Sequence, residues 1–536
     1  MEYDCLRFSE IPQTTELFAS YTEDFGRVKN LYGHAPDEAG VRAAAKEVRL
    51  DAGTRSAVVE VLRAQNRAMG PDAEAEKNID RLAKGAVAIV TGQQVSLFSG
   101  PAYSIYKALD AIRWAKKLTR LGVDAVPIFW MATEDHDLAE ANQVFFKERY
   151  GIARLELLLE KEAEGGSVGR ILLGKSADAV VEHAVELLQG PGRGEIAEAL
   201  KASYRWEETF GTAFGKLLAR VLKGRGLILL DPLDKRLHEL ARPTYRKAVE
   251  GAGPVAEELL ARGKELERRG FHAQVKVTQQ STLLFLDVDG KREPIRRKNG
   301  AFVAGSVRHS ASELLRRIDE EPEALTASVL LRPVLQDAIL PTAAYIGGPA
   351  EVAYMAQAQV VYRRVLGRMP AILPRASFTL IEPEVARILK KYHLSIPEVL
   401  SGRQQLRRKM EAQYLPRSLA VRFARDEKAM RKMLAGYGKP LGALDKTLGG
   451  ARETAEKKML YQFTKLRGKA GRAENLRTGV LDRHELEIVS ALYPRRGLQE
   501  RTLCLLPFLA RQGMELLDRL ESAMGKPCQG HRLITL

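Results

Sequence analysis

The sequence is poor in cysteine and has no long apolar segment. Three cysteines, Cys5, Cys504 and Cys528, occur among 536 residues, too few for a disulfide framework, and no CxxC pair is present. No run approaches the roughly 18 consecutive apolar residues that a membrane-spanning helix requires. The first residues also lack the basic segment and following apolar run of a secretory signal. These absences predict a reduced protein of the cytoplasm.

The composition is otherwise that of a folded protein. Apolar residues make up 45% of the chain and charged residues 28%, which excludes general disorder and a fibrous structure. A single hydrophobic core seldom organises as many as 536 residues, so two or three domains are expected.

The charge is strongly positive. Lysine and arginine total 84 against 68 acidic residues, which gives a formal net charge of +16. Such a balance attracts polyanions, so a nucleic-acid-binding protein is one candidate. The alternative is that the charge is spread over solvated helices and also attracts small anionic substrates. We favour this alternative, because no nucleic-acid recognition motif is found.

Short apolar runs alternating with helical patterns predict an α/β fold. A helical segment over residues 1–80 is expected to pack on a core spanning 81–382. In that core, five runs have the length of strands covered on both faces. These runs occupy residues 86–90, 125–130, 227–230, 343–346 and 371–373. The first two flank a helix that begins at Pro101, so they form a βαβ unit. This order favours an open, mainly parallel, doubly wound sheet.

Two regions interrupt or follow this pattern. Residues 151–320 are predicted to carry an inserted lobe with antiparallel strands at 274–278 and 283–289. Residues 383–536 are predicted to be helical and free of strands. There, apolar residues at three- and four-residue steps indicate the seam of a helical hairpin or coiled coil. The seam consists of Leu441, Leu444, Leu448, Ala451, Ala455, Met459 and Leu466.

Polar and glycine-rich clusters follow the predicted strands. They lie at residues 91–94, 134–137, 347–349 and 375–377. Because parallel strands end at one edge of a sheet, and ligands of doubly wound folds bind outside that edge, these clusters are expected to converge. The sequence therefore predicts a site there.

The first cluster has the features of an anion site. Gln93 and Gln94 precede Gly100 and Tyr103, and the positive dipole end of the helix at Pro101 would face the crevice. A phosphate or carboxylate could bind there; a tight, capped turn is the alternative. The P-loop pattern GxxxxGK[ST] is absent.

The second cluster is acidic. Glu134, Asp135 and Asp137 surround His136, an arrangement that can orient an ammonium group, accept a proton or bind a metal. No HExxH motif or remote Cys/His set supports a metal. The structural alternative is the acid-rich first turn of a helix.

The remaining candidates are spread along the chain. A lone His272 with Gln274 is more typical of a structural position than of a catalyst. Arg332 and Arg375 could bind carboxylate or phosphate in bidentate fashion, or could form core ion pairs instead. Other polar and glycine residues of the same segments complete the candidate set: Gln336, Asp337, Tyr345, Gly347, Gly348 and Glu351.

These motifs, in this order, resemble the bacillithiol synthase family, the cysteine-adding enzymes of bacillithiol biosynthesis. The resemblance is strong from about residue 85 to 382 and weaker beyond. The matching segments are 91–94 with 97–107, 126–130 with 134–137, 271–275, 331–337 with 341–354, 373–375, and 493–494 with 498–501.

The resemblance implies a Rossmann-like core related to class I aminoacyl-tRNA synthetases and a C-terminal coiled coil that forms a homodimer. It also implies a carbon–nitrogen ligase that joins L-cysteine to glucosaminyl malate. Gln93 and Gln94 stand where synthetases carry a HIGH-type histidine pair, and no KMSKS run is visible. Use of ATP is inferred instead from energetics, because a free carboxylate does not readily form an amide without activation.

The following roles are expected. Glu134, Asp135 or Asp137 would recognise an ammonium group, and a carboxylate or His136 would accept the proton that the attacking amine loses. The glutamines would hold a carboxylate or phosphate, and the arginines would neutralise malate or nucleotide. Besides nucleic-acid binding, a metal-dependent hydrolase built on residues 134–137 is an alternative.

Overall fold

The computed structural model describes residues 3–148, 150–159, 166–445 and 447–536. Its strands are β1 Tyr3–Leu6, β2 Val87–Gln94, β3 Ala125–Ala132, β4 Gln143–Glu148, β5 Gly151–Glu156, β6 Ile228–Leu230, β7 Ser281–Val288, β8 Lys291–Lys298, β9 Ala301–Ala304, β10 Val307–His309, β11 Leu325–Ala327, β12 Thr342–Gly347, β13 Ala371–Pro374, β14 Phe378–Ile381 and β15 His531–Thr535.

The helices connect and cover these strands. They are α1 Glu16–Glu23, α2 Glu38–Glu47, α3 Ala52–Met69, α4 Ala73–Ala83, α5 Tyr103–Arg120, α6 Leu138–Ala141, α7 Ser176–Leu187, α8 Arg193–Ser203, α9 Phe210–Val221, α10 Lys235–Glu250, α11 Ala252–Arg268, α12 Ala311–Glu320, α13 Arg332–Ile339, α14 Pro349–Val365, α15 Pro383–Lys391, α16 Ile396–Leu400, α17 Arg403–Gln413, α18 Arg417–Gly436, α19 Gly438–Leu444, α20 Leu448–Thr478, α21 Val480–Leu492, α22 Gln499–Thr502, α23 Leu506–Gln512 and α24 Glu515–Met524.

The central sheet has the strand order β13-β12-β2-β3-β6, and all its pairs are parallel. The predicted doubly wound sheet is therefore confirmed. Alternate residues of β2 face different cores: Ala88 and Val90 belong to one apolar cluster, Val87 and Ile89 to another. Burial on both faces explains why the strands are continuous apolar runs.

Some predicted boundaries were wrong. β2 does not stop before Thr91 but continues to Gln94, because its last residues still pair with β3, Gly92 opposite Trp130 and Gln93 opposite Met131. The helix expected from Pro101 begins at Tyr103, after a short 3-10 turn at Leu97–Ser99.

A second, antiparallel sheet has the order β10-β9-β8-β7-β11. The strand predicted at 283–289 corresponds to β7, but the one predicted at 274–278 is irregular. There, Val275 is held through both its N–H and its carbonyl by the side-chain amide of Gln357, at 2.8 and 2.9 Å. A side chain replaces the neighbouring strand that this segment would need.

A third sheet, β1-β15-β14, joins the two ends of the chain. Its strand β15 corrects the expectation that no strands follow Pro383. Cys5 and Cys528 also form a disulfide, with their Cα atoms 6.0 Å apart. The prediction of a chain without disulfides was therefore wrong. The sequence separation of 523 residues hides this pairing from spacing arguments.

The C-terminal region is otherwise helical. α20 packs on α18 through Phe423 and Phe463, whose ring centroids are 5.1 Å apart. Much of the predicted seam is open to solvent: Leu444, at the end of α19, is 79% exposed, and Leu466 on α20 is 56% exposed. Among the described residues, no helix is long and apolar enough to cross a membrane.

Candidate active site at the carboxyl edge of the parallel sheet

Two adjoining cavities open at the carboxyl ends of the central strands. The edge cavity, of about 290 Å³, lies directly at the strand ends. The lobe cavity, of about 600 Å³, extends to the antiparallel sheet. Both are lined by Ala132, Asp135, Val329 and Arg332. The two cavities therefore form one continuous cleft.

The edge cavity gathers segments that are far apart in sequence. Of the predicted site residues, it brings together Gln93, Gln94, Tyr103, Asp135, Arg332, Gly348, Glu351 and Arg375. The parallel sheet accounts for this, since β2, β3, β12 and β13 all end here. The predicted convergence of the strand-end clusters is confirmed.

A buried lysine lines the edge cavity. The Lys107 ammonium donates hydrogen bonds to the carbonyl of Gly92 at 2.6 Å and to Oε1 of Gln93 at 3.0 Å. It also forms an ion pair with Glu351 at 2.5 Å. Burial lowers the pKa of Lys107, and the Glu351 carboxylate opposes that shift. Lys107 thus ties β2 to the start of α14.

Tyrosines surround the arginine shared by the two cavities. Arg332 donates to the hydroxyls of Tyr354 at 3.1 Å and Tyr345 at 3.4 Å. Tyr345 in turn donates to Glu351 at 2.6 Å, and the N–H of Gly348 donates to the same carboxylate at 2.7 Å. Arg332 is therefore held at a fixed position between the cavities.

A second arginine is anchored by the C-terminal region. Arg375 donates to Glu500 at 2.7 Å and lies over the ring of Tyr103, 5.1 Å from its centroid. Ser377 also donates to Glu500 at 2.7 Å, and its hydroxyl contacts Nδ1 of His531 at 2.7 Å. Burial lowers the pKa of His531 to about 4, so its ring stays neutral. Strand β15 and α22 thus support a residue of the cleft.

The lobe cavity contains a glutamate whose pKa is strongly raised. Burial raises the pKa of Glu134 to about 7, Asp231 adds to the shift, and Arg292 and Arg332 oppose it. A carboxyl with a pKa near neutrality can accept and release protons under working conditions. Glu134 is therefore the strongest acid–base candidate of the predicted cluster.

The neighbours of Glu134 in the cluster are more exposed. His136 Nδ1 lies 3.6 Å from Oδ1 of Asp135 and 3.2 Å from Nη1 of Arg292. Arg292 is itself fixed by Thr326 and the carbonyl of Ala327, at 2.7 and 2.8 Å. His136 and Arg292 thus line the outer wall of the lobe cavity.

Other predicted residues lie outside both cavities. The Asp137 carboxylate caps α6 by accepting the N–H of Glu140 at 3.0 Å, and its carbonyl accepts from Gln94 at 2.8 Å. His272 is exposed, and Gln274 lines a neighbouring cavity near the N-terminus.

Further predicted residues support the walls. Asp337 is buried, accepts from Gln336 at 2.9 Å and contacts the Tyr362 hydroxyl. Gly100 takes a left-handed conformation, with φ of 65°, in the turn before α5. Gly347 accepts the N–H of Arg375 through its carbonyl at 2.9 Å.

Several cleft residues were not predicted as site residues. They are Lys107, Glu140, Val329, Tyr354 and Arg501 in the edge cavity and Arg292 in the lobe cavity. Lys107 shares its helix face with the polar residues Ser104 and Asp110, so its spacing did not distinguish it from a solvated position. Arg292 carried no signal either, because it lies in a charged strand that resembles any solvated edge. Among the described residues, no group of three or more His, Cys, Asp or Glu is arranged to hold a metal ion.

The fold and the cleft together define an enzyme of the Rossmann-like α/β class with a helical C-terminal domain. Residues 1–376 match the family described as Bacillithiol biosynthesis BshC, N-terminal Rossmann-like domain, and residues 378–536 match its C-terminal coiled-coil domain. The chain belongs to the BshC family of bacillithiol biosynthesis, which confirms the predicted family.

Relatives match over nearly their whole length. A protein of Koribacter versatilis is 43% identical over 99% of both chains, and one of Solibacter usitatus is 36% identical over 100% of both. One of Salinibacter ruber is 31% identical over 97% of this chain and 96% of its own. All three carry the name "Putative cysteine ligase BshC".

Proposed function

We propose that this protein is a carbon–nitrogen ligase that joins the carboxyl group of L-cysteine to the amine of glucosaminyl malate, giving bacillithiol. One observation carries the proposal: a buried carboxyl with a pKa near 7, Glu134, faces a cavity that adjoins a second cavity rich in cations. Amide formation needs both a base for the amine and positive charge for an activated carboxylate.

Glu134 is assigned as the base. The amine must lose a proton as its nitrogen attacks the activated carbonyl carbon, and Glu134 accepts that proton. Arg292 and Arg332 lie close enough to influence Glu134 electrostatically, so they stabilise its ionised form between turnovers.

ATP is proposed as the activating co-substrate. Activation of a carboxylate requires a phosphoryl or adenylyl donor, and such a polyanion would meet Arg332, Arg375 and Arg501 at the wall of the edge cavity. Arginine pairs with phosphate and carboxylate in bidentate geometry, so these residues equally suit the malate carboxylates.

Homodimerisation is proposed through the open side of α19 and α20. Leu444, Met459 and Leu466 of the predicted seam are 79%, 40% and 56% exposed in the single chain. A second copy would cover them, as the a and d positions of a coiled coil are covered. We also propose the cytoplasm as the site of action, where cysteine and ATP are available.

Product formation tests the function. Purified protein is incubated with cysteine, glucosaminyl malate and ATP, and the thiol conjugate is measured by mass spectrometry. Glu134→Gln should lower its rate at least about 100-fold, the usual contribution of a general base. Glu521→Gln is the control, since Glu521 is half-buried, paired with Lys116 at 2.7 Å and remote from the cleft. No conjugate from the wild-type protein, or full activity of Glu134→Gln, contradicts the proposal.

A further inference from the structure

A buried histidine contacts the proposed base from outside the cleft. His238 lies on α10, is 3% exposed and lines neither cavity. Its Nε2 is 3.5 Å from Oε1 of Glu134. Within the described residues, Nε2 has no hydrogen-bond partner. A buried ring nitrogen facing a carboxyl group in this way is a costly arrangement unless the two groups share a proton.

The neighbours of His238 indicate which ring nitrogen carries the hydrogen. Nδ1 lies 3.1 Å from the hydroxyl of Tyr245, and that hydroxyl donates to the carbonyl of Leu325 at 3.3 Å. A tyrosine has one hydroxyl proton, so its oxygen is left to accept from Nδ1–H. Nε2 is then unprotonated, and its lone pair faces Glu134.

We infer that His238 is a positioning residue that accepts a hydrogen bond from protonated Glu134 through Nε2, and thereby sets the proton affinity of the base. The inference rests on the proposed function only in calling Glu134 the base. In the reaction, the lone pair of the amine nitrogen forms the C–N bond, and the bond from the carbonyl carbon to the activating phosphoryl or adenylyl oxygen breaks, with its electron pair leaving on that oxygen. The amine N–H bond also breaks; its electron pair stays on nitrogen, and the proton bonds to a Glu134 oxygen. The proton stays on Glu134 and is hydrogen-bonded to His238 Nε2 until it leaves to solvent.

Burial and the surrounding charges act on both groups, and a hydrogen bond with the backbone of Pro232 also acts on the His238 ring. Burial lowers the pKa of His238 to about 4, so the ring is neutral when Glu134 titrates near 7. The charged and titratable groups that act on the pair come from several elements. They are Arg170, Asp231, Asp234, Arg292, Glu323, Arg332 and Tyr245.

The tautomer of His238 is the first test, and it uses the unaltered protein. Histidine labelled with ¹⁵N is followed by NMR from pH 5 to 8, with the His238 signals identified by their loss in His238→Gln. A neutral ring protonated on Nδ1 throughout is expected. A ring protonated on Nε2 would overturn the inference.

Two variants test the effect on Glu134. In His238→Asn the side-chain amide reaches only the position that Nδ1 occupies in the wild-type protein. In His238→Gln the amide oxygen can reach the position that Nε2 occupies. Infrared pH-difference spectra, with the Glu134 band assigned by Glu134→Gln, report the carboxyl titration directly. Loss of the acceptor destabilises protonated Glu134. In His238→Asn, Glu134 should therefore bind its proton about tenfold more weakly, a change that corresponds to roughly one hydrogen bond. His238→Gln should restore it.

The outcomes separate this inference from the proposed function. An unchanged Glu134 midpoint in His238→Asn, or equal shifts in both variants, contradicts the inference whether or not the ligase activity is found. If the predicted shifts occur but no conjugate forms, the pairing stands and the proposed function fails.

Discussion

At the scale of the residue, the role of each side chain in the site depends on its burial and its neighbours, which the sequence reveals only in part. Glu134 was predicted because it follows a strand, but its distinction from Asp135 and Asp137 comes from burial, which raises the pKa of Glu134 to about 7. Asp137 instead caps a helix. Adjacent acids in a sequence therefore serve different purposes, and only the packing around each one shows which.

The pH dependence of the ligase reaction should report Glu134. The base must be ionised, and its pKa is raised to about 7, so kcat/KM for glucosaminyl malate should fall as the pH drops below about 7. Rate measurements from pH 5.5 to 8.5 check this. An acidic limb with a midpoint near 4.5, the ordinary pKa of a glutamate, would show that another group is the base.

At the scale of the element, the strands of the central sheet were the most predictable part of the fold. Apolar runs located all five strands of the central sheet, because strands buried on both faces exclude polar residues. Irregular segments were less predictable. Residues 274–278 alternate like a strand, but the amide of Gln357 takes up the backbone groups of Val275. Such a long-range side-chain contact leaves no local pattern.

Glu500, on the short helix α22, should hold Arg375 in position at the edge cavity. Glu500 accepts hydrogen bonds from Arg375, Ser377 and the N–H of Phe378. Glu500→Gln leaves Arg375 buried without its anion, which should lower the free energy of unfolding by about 3–5 kcal/mol. It should also raise KM for glucosaminyl malate more than it lowers kcat. Urea unfolding and steady-state kinetics measure the two effects.

A matched control separates stability from binding. Glu485 on α21 is also buried and pairs with Arg407, outside both cavities. Glu485→Gln should lose stability with KM unchanged. If Glu500→Gln shows the same pattern as this control, Glu500 has no influence on substrate binding.

At the scale of the whole molecule, no sequence pattern predicts that the two ends of the chain are in contact. The mainly helical character of the region after residue 382 was visible in the sequence. The sheet that joins β1, β15 and β14 was not, since β1 and β15 come from opposite ends of the chain.

The disulfide should stabilise the fold under oxidising conditions. Because Cys5–Cys528 links the two ends of the chain, Cys5→Ser should lower the free energy of unfolding by about 2–4 kcal/mol. A reducing agent should lower the stability of the wild-type protein to that of the variant. Equal stability of both proteins, with and without reductant, would show that the bond does not form.

The association state tests the open face of α20. Leu466→Glu places a charge in the proposed interface and should convert a dimer into a monomer, as measured by light scattering after gel filtration. Leu476→Glu is the control: Leu476 is 89% exposed on the same helix but does not belong to the seam. A monomeric wild-type protein would contradict the proposed dimer.

A crystal structure with the conjugate product bound would locate the active site. Product density is expected to span the two cavities, with the malate carboxylates near Arg332 or Arg375 and the amide near Glu134. Product bound elsewhere, with this cleft empty, would contradict the assignment of the active site.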